Sequence, residues 1–265
     1  MPDDSQPLRQ TPTVAHLVNA LRFLTILPVP DSDRAPEPDW LTRAMAFFPV
    51  VGGGIGAISA TMLLLGSALF SPGLAALLAV AASIVVTGAL HEDGLADTFD
   101  SFGGGWTVAR RLEIMKDSRI GTYGALALGL DVALRAAALA QLPLWAGVAA
   151  LVAGHAAARA APAFVMKTMS YTGDTSAMRV SYAEAPLRAD ELRFILIAVA
   201  VAAVPLLLVS FAALAVGLAF GAVLAAALAA WARRLIGGYT GDVLGATEQM
   251  FEVGFLLGVA AVLGS

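Results

Sequence analysis

Asp93, Asp97 and Asp100 are spaced i, i+4, i+7 within the stretch 91–124, HEDGLADTFDSFGGGWTVARRLEIMKDSRIGTYG. At about 3.6 residues per turn this spacing predicts a helix with all three carboxylates on one stripe. Neighbouring like charges cost about a few tenths of a kcal/mol per pair in water, and more in a confined site unless a cation lies between them. The stripe therefore reads as a divalent-metal site, with Asp117 further along as another candidate ligand. The chain has no cysteine, and ligation by carboxylate oxygens favours Mg²⁺, or Mn²⁺, over zinc or iron.

The same stretch carries Arg110, Arg111, Lys116 and Arg119, so six carboxylates and four cationic side chains interrupt a largely apolar sequence. Guanidinium forks match phosphate oxygens, and carboxylates, a metal and arginines together are the apparatus of phosphoryl-group chemistry. A solvated, salt-bridged helix at a membrane edge is the plain alternative, because structural ion-pair networks imitate sites. The joint occurrence of acid stripe, basic run and glycines favours chemistry. Two further candidates sit elsewhere: Asp174 in YTGD and Asp242 in YTGD, where glycine beside a carboxylate permits a tight turn and close approach of backbone N–H groups to an anion.

The elements that must position these residues are hydrophobic. With 58% apolar residues, 14% charged residues and a mean hydropathy of +0.79, the 265-residue chain lies outside the soluble range. We expect an all-α fold, a single polytopic membrane-embedded bundle over residues 1–265. It comprises about seven transmembrane helices, a polar tail at 1–13 and an amphipathic interfacial helix over 14–27 that ends at Pro28 and Pro30. Spans are expected at about 44–70, 74–90, 121–139 and 143–166. Two more fall in 194–230, turning near Phe211, and a last one reaches Gly264. The run GGGIGA at 52–57 lies inside a span and reads as close helix packing rather than a dinucleotide fingerprint. The N-terminus shows no signal-peptide pattern. A net charge of −4 gives no footprint for nucleic acid.

Lysine and arginine fall in the segments 91–119, 167–193 and 232–250 and before the first span, whereas the turns at Ser71, Gln141 and Phe211 have none. The positive-inside rule puts those three segments in the cytoplasm, with the site facing it from the inner membrane. Asp131 and Arg135, and His155 and Arg159, lie inside spans, where charges are costly: they either form an Asp131–Arg135 or Asp131–Arg159 bridge that fastens two helices, or serve a substrate or a transport role. Glu248 reads as a partner for a helix N-terminus.

HEDGLADTFD followed by RRLEIMKDSRIGTYGALAL resembles the signature of the cobalamin synthase family, the adenosylcobinamide-GDP ribazoletransferases. The likeness extends to LRFLTILPVP (21–30), FFPVVGGGIGA (47–57) and GGYTGDVLGATEQ (237–249), with Ser101 and Phe102 departing from the expected glycine-rich loop. The resemblance implies a bacterial membrane transferase whose partners are adenosylcobinamide-GDP and α-ribazole or its 5'-phosphate, and it neither requires nor excludes an oligomer. It further implies Mg²⁺ on Asp93, Asp97 and Asp100, and phosphate contacts from Arg110, Arg111, Lys116 and above all Arg119. The attacking hydroxyl needs a base, His91 or Asp100, and His91 lies off the carboxylate stripe. Two rivals remain. A CDP-alcohol phosphotransferase would need arginine where Asp97 stands, and a secondary transporter would use the charges inside the spans but should show matching halves, which the sequence lacks.

Overall fold

The computed structural model describes residues 14–29, 39–173 and 187–264. Among these residues every regular element is a helix. They are α1 Val14–Leu24, α2 Trp40–Ala44, α3 Phe48–Ser67, α4 Pro72–Thr87, α5 Leu90–Gly104, α6 Val108–Ile114, α7 Thr122–Ala140, α8 Leu144–Ala158, α9 Ala161–Thr168, α10 Ala189–Val209, α11 Phe211–Ile236 and α12 Gly241–Leu263, with a 3₁₀ turn at Met45–Phe47 joining α2 to α3. Six stretches are long and apolar enough to cross a bilayer, and a seventh arises if α4 and α5, bent by 92°, are counted together. This is the polytopic all-α bundle that the hydropathy pattern predicts. The turn between α10 and α11 falls at Ser210, whose hydroxyl accepts the Ala213 N–H and caps α11.

Glycine sets the spacing of the first layer. A side chain at Gly56 would come within 2.5 Å of the Leu151 carbonyl, so α3 and α8 touch backbone to backbone, as expected for GGGIGA. The bend between α4 and α5 comes from two consecutive left-handed residues, Gly88 (φ 63°) and Ala89 (φ 60°). A residue bearing a Cβ costs about 1–2 kcal/mol in that conformation. Part of what holds it is the chain after α1: the Ile26 N–H donates to the Val86 carbonyl at 2.9 Å, and Ile26 Cγ2 occupies the space where a Gly88 side chain would lie.

One face of α1 packs on the bundle. Ala20 and Leu24 are buried, packed with Leu41, Met45 and Phe48 from α2 to α3, because this apolar face finds protein to cover it. The described parts of the three motif-bearing segments meet at one end of the bundle. Arg111 donates to the Leu235 carbonyl at 3.0 Å, and the strand-like bridge between Tyr171 and Tyr239 ties the segment after α9 to the start of α12.

Candidate active site

At that end, a cavity of about 150 Å³ lies between α1, α2, the start of α3, α5, α9 and α12. Phe23, Leu24, Met45, Phe48 and Met166 form its apolar side, and His91, Asp93, Asp242 and Glu248 its polar side. The juxtaposition of α5 with α12 rests on Gly94, where a Cβ would lie 2.8 Å from the Asp242 carbonyl. Only glycine lets the two acid-bearing turns approach this closely. Thr240 caps α12 by accepting the Val243 N–H at 3.3 Å, and its hydroxyl donates to Asp242 Oδ2 at 3.3 Å.

α5 is helical over the predicted stripe, and its aspartates have separate environments. Asp93 is exposed at the cavity and Asp97 is half-buried. The Asp97 carboxylate stands in the field of Asp242, Asp93, Asp100 and Asp117, each of which repels it. Asp100 is buried, and both its oxygens are engaged: Oδ2 accepts the Gly121 N–H at 2.6 Å and Oδ1 the Gly124 N–H at 2.9 Å. It therefore caps the N-terminus of α7, where the orphan amides and the helix dipole favour an anion.

The predicted phosphate cluster divides. Arg111 donates through Nη1 to the Leu235 carbonyl, while Arg110 forms an exposed pair with Glu113 at 2.8 Å. Arg119, largely exposed, folds back on Asp117 at 2.6 Å, and this guanidinium holds the Asp117 carboxyl down at about 2. Lys116 is exposed on the same loop. Asp174 lies outside the described residues.

Behind the cavity runs a buried charge network that sequence reasoning saw only in pieces. His91 Nε2 lies 2.9 Å from Glu248 Oε2, and Glu248 Oε1 lies 3.0 Å from Arg159 Nε in an ion pair not aligned as a hydrogen bond. Arg159 also pairs with Glu252, which meets His155 Nδ1 at 2.6 Å and Arg135 at 2.9 Å. Arg135 reaches Asp131 at 2.5 Å and Glu92 at 3.2 Å, and Gln249 donates to Glu92 at 3.1 Å. The expected Asp131–Arg135 bridge is present; Arg159 pairs with α12 instead of Asp131. Glu92, Gln249 and Glu252 went unremarked, although charged residues in an apolar span call for partners. Glu248 is no mere dipole partner: it is buried between a histidine and an arginine.

The donors at the mouth of this site are carboxylate oxygens, the ligand type that Mg²⁺ takes. Asp93, Asp97 and Asp242 are oxygen donors in mutual repulsion, but among the described residues no three acidic or imidazole groups come close enough together to hold a metal ion by themselves. Mg²⁺ retains waters and takes one or two carboxylates plus substrate phosphates, so an open arrangement suits it.

A family model described as cobalamin-5-phosphate synthase matches residues 16–260, which includes α5, the cavity and the buried network. The chain belongs to the cobalamin-5-phosphate synthase family. It is 42% identical over 246 residues to the adenosylcobinamide-GDP ribazoletransferase of Shewanella frigidimarina, covering 92% of this chain and 93% of that protein. The enzyme of the same name from Bradyrhizobium diazoefficiens is 44% identical over 251 residues, covering 94% of each chain. That from Azorhizobium caulinodans is 41% identical over 262 residues, covering 95% of this chain and 97% of its own. No solved structure matches. Membership of this cobalamin-biosynthesis transferase family removes the CDP-alcohol phosphotransferase and transporter readings.

Proposed function

We propose that this chain joins adenosylcobinamide-GDP to α-ribazole, or α-ribazole 5'-phosphate, giving adenosylcobalamin or its 5'-phosphate and GMP. The observation that carries the reading is the meeting of α5 and α12 at Gly94 and Asp242, which gathers Asp93, Asp242 and His91 at one cavity, with Asp97 one turn along α5, within a chain of this family. The cavity is small beside either substrate, so it receives the reacting diphosphate and ribose, with the corrinoid and guanosine outside it.

The ribazole 3'-oxygen attacks the cobinamide-bearing phosphorus, a new O–P bond forms, and the bond from that phosphorus to the bridging oxygen breaks as GMP leaves. Asp93, Asp97 and Asp242 would hold Mg²⁺ together with substrate phosphate oxygens, and the bound metal would supply charge neutralisation to the diphosphate. His91 takes the hydroxyl proton. Glu248 accepts from Nε2–H and so fixes the tautomer, leaving Nδ1, buried and otherwise unpartnered, as the acceptor. Asp100, with both oxygens on backbone amides, positions α7 and is not the base. Arg119, released from Asp117, and Lys116 meet outer phosphate oxygens at the cytoplasmic face.

Purified protein in liposomes, given both substrates and Mg²⁺, should release GMP in step with corrinoid product. Release of GDP, or hydrolysis without joining, would overturn the assignment.

A further inference from the structure

A second cavity of about 530 Å³ lies on the other side of α12, between α9 and α11. Its walls are apolar and mostly alanine, including Ala161, Ala226 and Ala229, with Phe164 alongside and Thr247 and Phe251 of α12 at the back. No residue of α10 lines it. Near their connecting turn α10 and α11 share one apolar cluster through Leu206 and Ala213, and no wall from α10 continues down to the groove. The groove thus opens sideways on the bundle.

Its length and its charge indicate what covers it. From Ala222 to Arg233 the groove follows α11 for about 17 Å at a helical rise of about 1.5 Å per residue. One leaflet of a hydrocarbon core of about 30 Å is about 15 Å deep. At the site-bearing end of the bundle the groove finishes at Arg233, in the last turn of α11, which is exposed and forms no ion pair among the described residues. An apolar channel one leaflet deep, with an arginine at its polar end, matches an acyl chain attached to a phosphate.

We infer that this groove binds one acyl chain of an anionic glycerophospholipid from the leaflet on the site side, with the headgroup phosphate at Arg233. Thr247 and Phe251 flank Glu248 and Gln249 on α12, so the bound chain braces the helix that carries the partner of His91.

The test is native mass spectrometry of the full-length protein released from detergent micelles after incubation with phosphatidylglycerol or phosphatidylcholine. One phosphatidylglycerol should be retained under conditions that strip phosphatidylcholine. Ala226→Phe and Ala229→Phe, which fill the groove, should weaken retention by about tenfold or more, and Arg233→Gln should abolish the preference for the anionic lipid. Equal retention of the two lipids by the unaltered protein, or a preference that survives Arg233→Gln, would overturn the inference even if the filled variants fail to fold. Displacement by sn-glycerol 3-phosphate would also overturn it, since that marks a headgroup site without a chain.

Discussion

His91 Nε2 and Glu248 Oε2 lie 2.9 Å apart, both side chains buried, although 157 residues separate them in the chain. A carboxylate on one imidazole nitrogen fixes which nitrogen carries the proton. Glu248→Gln keeps the shape while weakening that control, so kcat should fall by about tenfold or more with KM little changed. Steady-state kinetics in liposomes checks this, and a rise in KM alone would assign Glu248 to substrate binding.

Asp93→Asn and Asp97→Asn remove an anion while preserving size. Turnover should fall by about a hundredfold or more, with the protein still folded and inserted, and higher Mg²⁺ or Mn²⁺ should restore part of it. EDTA should abolish activity of the unaltered protein, whereas thiol alkylation should have no effect on a chain without cysteine. Near-normal turnover of both variants at low metal would mean that the stripe is a solvated face.

Asp100 should behave differently. As the acceptor for the Gly121 and Gly124 amides it stabilises α7, so Asp100→Ala should lower stability by about 0.5–2 kcal/mol, the usual worth of an N-terminal cap. Thermal unfolding in detergent reads this directly. A large change in the Mg²⁺ dependence with no change in stability would make Asp100 a ligand after all.

Glu252 holds Arg135, Arg159 and His155 together inside the bundle. Glu252→Ala leaves two buried guanidiniums short of an anion and should cost about 3–5 kcal/mol, seen as lost expression or a lowered unfolding temperature. Substitution without such a loss would show that water reaches these arginines.

Membrane orientation is open to a labelling test. Ser71→Cys and Ser118→Cys, both at exposed positions, should label from opposite faces with an impermeant reagent, Ser118 from the cytoplasm. Labelling from one face would overturn the orientation. Ser101 is unsuitable because it is buried, its hydroxyl donating to the Arg111 carbonyl.

Hydropathy and spacing determined much by themselves. Long apolar runs force helices in lipid, because backbone groups find no other hydrogen-bond partner there, and the i, i+4, i+7 aspartates fixed the face of α5. The motif from His91 to Gly124 likewise marked the family. Only the tertiary structure decided what each carboxylate meets. Asp100 lies on the same stripe as Asp93 and Asp97 but meets the amides that open α7, while Asp242, far off in sequence, joins them across Gly94. His91 looked misplaced on the stripe because its partner is on α12, not α5. Helical periodicity says which residues share a face, but it carries no information about which other helix that face meets. That is set by backbone approach at glycines such as Gly94 and by the pairing of buried charges between helices that the sequence keeps far apart.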